Sequence, residues 1–225
     1  MTGFADLVAR ARGLADGGRR AVLGVTGAPG AGKSTLAEKL VEALAPHPPA
    51  GLVPGQWVAH VPGDGYHLAD VELDRLGRRA RKGAPDTFDP LGYAALLRRL
   101  HDDADELIYA PGFERVIEQP IAASIPVPRA ARLIVTEANY LLLPDPAWRQ
   151  VRAALTEVWY VELDDAERLR RLVGRHERFG KDRDAAVAWA TGTDQHNADL
   201  VGATRDAADL IVDAAVLPRP DSAVV

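Results

Sequence analysis

The sequence predicts a three-layer α/β/α fold around a mainly parallel β-sheet. Short apolar runs rich in β-branched residues have the length of buried strands, and they recur at residues 21–25, 56–61, 132–136, 157–161 and 209–213. Stretches with apolar residues at helical spacing lie between these runs. Strands that alternate with helices favour a parallel sheet that is covered by helices on both faces.

The composition fits a single α/β domain over residues 1–225. Of the residues, 47% are hydrophobic and 26% are charged, so a normal core can form. The net charge of −5 gives no drive towards nucleic acid or a membrane. The chain has no cysteine, which excludes disulfides, thiolate catalysis and Cys-ligated zinc. Because no apolar stretch has the length of a membrane span and residues 1–20 lack a signal-peptide core, we expect a cytoplasmic protein.

The helices follow from apolar periodicity and from capping residues. Asp89 precedes a proline and is expected to cap one helix, and Asp164 or Asp165 is expected to cap another. In chain order, helices are expected at residues 4–16, directly after the glycine-rich turn at 27–32, at 69–80, 90–101 and 148–155, from about 165, and from about 183 towards 201.

One segment departs from the alternation of strands and helices. Residues 105–128 contain two extended runs, at 107–109 and 121–127, which residues 111–115 separate. We expect a hairpin-like insertion over the active face of the sheet. Residues 217–225 are expected to form a tail.

The glycine-rich turn has the template G-x-x-x-x-G-K-[ST] of a phosphate-binding loop. Its glycines leave the backbone N–H groups open to a phosphate and can adopt positive φ. Lys33 places a charge against the outer phosphates, and the Ser34 hydroxyl can ligate Mg²⁺. The dipole of the next helix adds to this site. Strand, turn and helix together predict a nucleoside triphosphate site at Gly27, Ala28, Pro29, Gly30, Ala31, Gly32, Lys33, Ser34 and Thr35.

Two carboxylates follow strands near this loop. Asp64 lies two positions beyond the expected end of the second strand, where it could accept the proton of a hydroxyl in phosphoryl transfer. It could also be an ordinary Asp-Gly turn residue. Glu137 ends the third strand, where a carboxylate can approach Mg²⁺ directly or through water. The alternative for Glu137 is a strand-end acid without a role in the site.

Basic residues cluster in two places. Arg168, Arg171 and Arg175 recur along one helix, and residues 171–183 resemble a lid with a glycine hinge, whose guanidinium groups would stabilise a moving phosphoryl group. The alternative is a charged face paired with nearby acids. Arg81 and Lys82 are either acceptor-site cations or part of a solvated loop.

Four aromatic or imidazole side chains are candidates for an acceptor pocket. They follow the second strand or lie in the expected insertion, but such rings are as often part of a core. These candidates are Tyr66, His67, Tyr109 and Phe113.

Several short motifs appear in an order that resembles one family. Besides the phosphate-binding loop they are Asp64-Gly-Tyr-His67, Arg81-Lys-Gly-Ala-Pro-Asp-Thr-Phe88-Asp89, Glu137-Ala-Asn-Tyr-Leu141 and Arg171…Arg175-His176. Together they resemble the uridine kinase, phosphoribulokinase and bacterial pantothenate kinase group of P-loop kinases. The resemblance spans roughly Val22 to Val201.

The resemblance implies a P-loop NTPase fold and a set of roles. Asp64 matches the aspartate regarded as the catalytic base, and Glu137 matches the acid associated with Mg²⁺. Arg171 and Arg175 match lid arginines that contact phosphates, and Asn197 resembles an acceptor-binding asparagine. The implied partners are ATP, Mg²⁺, a small-molecule alcohol and a second copy of the chain.

The function expected from the sequence is transfer of the γ-phosphoryl group of Mg·ATP to an alcohol group. The acceptor could be pantothenate-like, nucleoside-like or sugar-like. The competing class is a P-loop NTPase that acts as a switch or an accessory ATPase without such an acceptor. The sequence shows no Asn-Lys-x-Asp element that would select guanine.

Overall fold

A computed structural model describes residues 3–217, so most of the expected tail lies outside the described residues. The helices are α1 Phe4–Gly13, α2 Lys33–Leu44, α3 Asp70–Arg75, α4 Pro90–Asp102, α5 Pro146–Ala153, α6 Asp165–Arg178, α7 Arg183–Thr191 and α8 Thr193–Gly202. The strands are β1 Ala21–Thr26, β2 Val58–Pro62, β3 Leu107–Glu114, β4 Gln119–Pro128, β5 Leu133–Glu137, β6 Glu157–Glu162 and β7 Leu210–Asp213.

Five strands form one parallel sheet in the order β2-β5-β1-β6-β7. The central strand β1 is buried along its whole length, as its unbroken apolar run predicts. One apolar core includes Leu7 and Leu40 of α1 and α2, and the other includes Leu97 and Val151 of α4 and α5. The three-layer α/β/α fold with its mainly parallel sheet is therefore confirmed.

The insertion forms a separate antiparallel pair, β3 and β4. Residues 111–114, expected to separate two runs, belong instead to β3, because an irregularity in register between Ala110 and Gly112 lets the strand continue past Pro111. Ile108 and Ala110 face the core, so the pair is fastened to the domain by alternate side chains.

Two expected helices are interrupted. The helix expected at 69–80 ends at Arg75, because Gly77 adopts a φ of +66° and a short 3₁₀ turn follows at Arg79–Arg81. The helix expected from 183 towards 201 is two helices, α7 and α8. They meet at Gly192, where φ and ψ are −96° and −92°.

None of the helices between residues 3 and 217 is both long and apolar enough to cross a membrane.

Arg20, just before β1, joins the sheet to its surroundings. Its guanidinium group is fully buried and donates to the carbonyl oxygens of Ala131 and Leu100 at 2.7 and 2.8 Å. It also donates to the carbonyl oxygens of Pro128 and Arg129 and lies 3.2 Å from an Asp103 carboxylate oxygen. Charged donors of this kind keep several buried acceptors satisfied.

Replacing Arg20 by methionine is expected to lower the free energy of unfolding by about 3 kcal/mol, because four carbonyl oxygens each lose a charged donor. Urea denaturation measures this quantity. Arg19→Met, at the exposed neighbouring position, is the matched control and should change it by less than about 0.5 kcal/mol. Equal values for the two variants would contradict the anchoring role.

Candidate active site

The phosphate-binding loop connects β1 to α2, as the sequence predicts. Gly27, Gly30 and Gly32 adopt φ values of +147°, +81° and +102°. A Cβ atom on Gly27 would lie 2.5 Å from the Val161 carbonyl oxygen of β6, so this position requires glycine. The loop therefore fits closely between α2 and the neighbouring strand. This close fit holds its backbone N–H groups in place.

Lys33 is the first residue of α2 and is only 8% exposed. Its Nζ folds back over the loop and donates to the Ala28 carbonyl oxygen at 3.0 Å. Burial lowers the pKa of Lys33, and the charges of Glu137 and Asp64 partly oppose that shift. The lysine therefore faces carboxylates across the site.

Glu137 ends β5, next to β1 in the sheet, and is 4% exposed. The Ser34 hydroxyl donates to its Oε1 at 3.2 Å. Burial raises the pKa of Glu137, and the charge of Asp64 raises it further, whereas Lys33 and the Ser34 hydrogen bond act against this. Two acids thus lie near one another in a buried place.

This donor set fits Mg²⁺. No group of three or more His, Cys, Asp or Glu side chains among the described residues is arranged to hold a metal by itself. Mg²⁺ bound to nucleotides takes few protein ligands, because phosphate oxygens and waters complete its shell. The Ser34 hydroxyl and the Glu137 carboxylate would be those ligands, and a cation there would offset the buried negative charge.

Asp64 lies in a 3₁₀ turn, Gly63–Tyr66, directly after β2. Because Pro62 of β2 pairs with Glu137 of β5, the turn delivers Asp64 to the same edge of the sheet as Glu137. Burial raises the pKa of the Asp64 carboxyl, but His67, Arg115 and Lys33 outweigh it and hold the pKa below its usual value. The carboxylate is therefore ionised at neutral pH.

A cleft of about 370 Å³ opens above these groups. One wall comes from the phosphate-binding loop and the strand ends, and the opposite wall comes from the β3–β4 pair and the ends of α6 and α8. Among the candidates that the sequence indicated, the cleft is lined by Pro29, Gly30, Lys33, Ser34, Asp64, His67, Lys82, Phe113, Glu137, Arg175 and Asn197.

The wall formed by α6 and α8 carries a cationic side chain and a hydrogen-bonded pair of side chains. His176 Nε2 and Asp194 Oδ2 lie 2.7 Å apart and join the two helices. Asn197 Nδ2 donates to the Gly83 carbonyl oxygen at 3.4 Å, and its buried Oδ1 has no partner among residues 3–217. Arg175 lines the cleft, and its side chain makes no hydrogen bond or ion pair with the described residues.

Four candidates lie outside the lining of the cleft. Tyr66 is 9% exposed and stacks on Tyr93 at 4.6 Å between ring centroids, because the 3₁₀ turn directs it into the core. Tyr109 is 54% exposed, on the face of β3 opposite Ile108 and Ala110, so it points away from the cleft.

The other two candidates outside the cleft are arginines. Arg81 pairs with Asp86 at 2.6 Å outside the cleft, because both residues belong to the loop that carries the 3₁₀ turn at Arg79–Arg81. Arg168 is 1% exposed and is held by Asp165 and Gln195, so it is buried and does not line the cleft.

Arg171 lies beside the loop rather than in the cleft. Its Nη1 would lie 3.8 Å from a Cβ atom built on Gly32, and its Nε donates to Glu167 at 2.8 Å. It is 45% exposed, so it can reach towards a nucleotide on the outer side of the loop only after leaving that acid.

Arg115 and Asp194 are site residues that sequence reasoning missed. Arg115 Nη2 donates to Asp64 Oδ2 at 2.5 Å, although 51 residues separate the two in the chain. Asp194 meets His176 across 18 residues. No local signal reveals such pairs, because the first depends on how the insertion folds over the sheet and the second on how α8 packs against α6.

A phosphate-binding loop whose neighbouring strands deliver buried carboxylates defines a P-loop nucleotide-binding protein, and this chain is one. A family model described as the methylmalonyl-CoA mutase-associated GTPase MeaB matches residues 6–48. Those residues contain most of α1 together with β1, the loop and α2, so the match covers the phosphate-binding unit and stops before Asp64.

Comparisons that cover more of the chain identify the branch of P-loop proteins to which it belongs. A protein from Schizosaccharomyces pombe, provisionally named a uridine kinase, is 31% identical over 180 residues, which are 78% of this chain and 74% of that protein. An ATP-dependent kinase-like protein from Aspergillus versicolor is 34% identical over 145 residues, 60% of this chain and 84% of that protein.

A solved structure extends the comparison to the whole domain. A protein from Silicibacter sp. TM1040, provisionally named a fructose transport system kinase, is 36% identical with a TM-score of 0.80. The match covers 92% of this chain and 98% of that one. The chain belongs to the P-loop kinases of the uridine kinase, phosphoribulokinase and pantothenate kinase group, which confirms the family expected from the motifs.

Proposed function

We propose that the protein is an ATP-dependent phosphotransferase that moves the γ-phosphoryl group of Mg·ATP to an alcohol group of a small metabolite. The observation that carries this proposal is the position of Asp64. Its ionised carboxylate opens into the same cleft as Lys33 of the phosphate-binding loop, at a strand end that neighbours Glu137. A phosphate donor and a proton acceptor can therefore meet in one enclosed space.

The groups present support an in-line transfer. The acceptor oxygen attacks the γ-phosphorus and forms the new P–O bond, its proton passes to the Asp64 carboxylate, and the bond to the β-phosphate oxygen breaks to release ADP. Lys33 and Arg175 would hold the charge that spreads over the phosphoryl oxygens. Ser34 and Glu137 would hold Mg²⁺, which would neutralise part of the phosphate charge.

Residues 171–183 are proposed as the lid over this cleft. They comprise the last two turns of α6 and the turn before α7, where Gly180 has a φ of +94°. Arg175 lines the cleft from this segment, and Lys181 lies 4.7 Å from the ring centroid of Trp189. A closing movement would bring Arg175 to the phosphates and exclude water.

The expected result of an acceptor screen is a rise in ADP release of at least about 10-fold over the acceptor-free rate. Relatives bear names that refer to uridine and fructose, so the panel contains uridine, fructose, pantothenate and glycerate, each with ATP and with GTP. Product phosphate is confirmed by mass spectrometry.

The opposite result has a clear meaning. ADP or GDP release that no alcohol stimulates would favour the competing class, an NTPase without a small-molecule acceptor, which is also the class of the GTPase model matching residues 6–48.

A further inference from the structure

The hairpin insertion places a cation on the proposed catalytic base. Arg115 follows β3 directly, and its Nη2 donates to Asp64 Oδ2 at 2.5 Å. The guanidinium carbon lies 5.1 Å from the ring centroid of Phe113, which also lines the cleft. Arg115 is 44% exposed at its side chain and Asp64 only 23%, so the arginine is the partner that can leave.

The pair limits what Asp64 can do. A carboxylate oxygen that already accepts a charged hydrogen bond is a weaker proton acceptor, so the guanidinium opposes proton transfer from an alcohol. Detaching Arg115 without replacement removes a charged hydrogen bond from Asp64 and leaves the guanidinium without an acid, which is costly. A neutral alcohol provides no group that offsets this cost.

An acceptor with its own anionic group could bind Arg115 in place of Asp64, so the Asp64 carboxylate would be free to accept the proton of the hydroxyl group. We propose that Arg115 makes the enzyme selective for alcohols that carry a carboxylate or a phosphate group, because that anion takes over the guanidinium and frees Asp64 for the acceptor hydroxyl. This proposal rests on the proposed function and names the acceptor class of the same cleft.

The charged side chains around Phe113 are consistent with an acceptor that carries an anionic group. Lys82 Nζ lies 5.6 Å from the Phe113 ring centroid and pairs with Asp70 at 2.7 Å, and Arg79 pairs with the same acid at 2.8 Å. Glu118 is the remaining acid that lines this end of the cleft. Arg79 also pairs with Asp74 at 3.1 Å, so Lys82 and Arg79 keep their own acids when Arg115 leaves Asp64. Among the described residues Arg115 pairs with no acid other than Asp64, so its guanidinium group is then open to an anion of the acceptor.

The neighbours of Asp64 allow the exchange. His67 Nδ1 lies 3.9 Å from Asp64 Oδ1, and Lys33 faces the same carboxylate. Asp64 therefore stays next to positive or polar groups after Arg115 has turned to the acceptor. The arginine needs only a side-chain movement, because its stem already lies at the rim of the cleft.

Matched pairs of acceptors test this selectivity. Pantothenate is compared with panthenol and gluconate with glucose for the carboxylate, and fructose 6-phosphate with fructose for the phosphate. For whichever pair is accepted, we expect kcat/KM of the anionic member to exceed that of its neutral partner by at least about 10-fold in the unmodified enzyme. The pair of acceptors whose kcat/KM values differ shows whether the enzyme selects a carboxylate or a phosphate group.

The variants assign the preference to one side chain. Arg115→Gln should reduce the ratio to near one, because it lowers kcat/KM of the anionic member and, by freeing Asp64, raises that of the neutral member. Arg115→Lys should retain part of the ratio. Arg129→Gln is the matched control, because Arg129 follows β4 at the other end of the insertion, is 47% exposed and pairs with Glu106. It should leave the ratio unchanged.

Two results would overturn the proposal. One is equal use of the anionic and neutral members by the unmodified enzyme, and the other is an equal loss for both members in Arg115→Gln. If no alcohol is phosphorylated, the proposed function is refuted, but this result alone does not decide the role of Arg115. Calorimetric binding of the anionic members then decides the role of Arg115, because loss of their binding in Arg115→Gln supports it and unchanged binding refutes it.

Discussion

Asp64→Asn is expected to lower kcat for phosphoryl transfer by about 10²- to 10⁴-fold, with affinity for ATP within a few-fold of the unmodified enzyme. Asparagine keeps the size of the side chain and its position in the 3₁₀ turn after β2, but it cannot accept the acceptor's proton. The donor half of the site, from Gly27 to Thr35, is left intact. A loss confined to kcat would therefore identify the step in which Asp64 acts.

The measurement combines steady-state ADP release with binding of a non-hydrolysable ATP analogue. Asp86→Asn is the matched control, because Asp86 pairs with Arg78 and Arg81 outside the cleft. If Asp64→Asn retained the full kcat, the assignment of the base would have to be abandoned. If ATP binding fell as strongly as kcat, Asp64 would be a part of the nucleotide site instead.

The sequence predicts the donor half of this site well, because its geometry is local. A buried strand, a turn with glycines at fixed offsets and a helix that starts with Lys33 can be folded in essentially one way. Asp64 and Glu137 could also be predicted, because each directly follows or ends a strand. Parallel strands bring their carboxyl ends to one edge of the sheet.

The acceptor half was predicted less well, because its residues depend on orientation and docking. Tyr66 and His67 are adjacent, yet the 3₁₀ turn sends one ring into the core and the other to the cleft. Arg168 and Arg175 share one face of α6, but α8 covers the first and leaves the second in the cleft. The contact of Arg115 with Asp64 requires the insertion to fold over the sheet, which no spacing reveals.

Lys33→Met is expected to weaken binding of ATP by about 10- to 100-fold, since a hydrogen bond from a charged donor contributes about 1.5–3 kcal/mol. Methionine retains the length of the buried stem, so α2 should begin as before. Calorimetry with a non-hydrolysable ATP analogue measures the change. Lys39→Met is the matched control, because Lys39 lies on the same helix and pairs with Glu42 away from the loop. Unchanged affinity in Lys33→Met would contradict its place against the phosphates.

The same substitution should affect turnover beyond the loss of binding. Lys33 is the cation that Glu137 and Asp64 share, and its charge acts against the rise in the pKa of Glu137. Without it, the charge of Asp64 acts on the buried Glu137 with less compensation, so Glu137 would hold a proton more readily and would be a poorer ligand for Mg²⁺. We therefore expect kcat at saturating ATP to fall by about 10²-fold or more. The apparent affinity for Mg²⁺ should fall with it, whereas loss of a phosphate contact alone would leave that affinity unchanged.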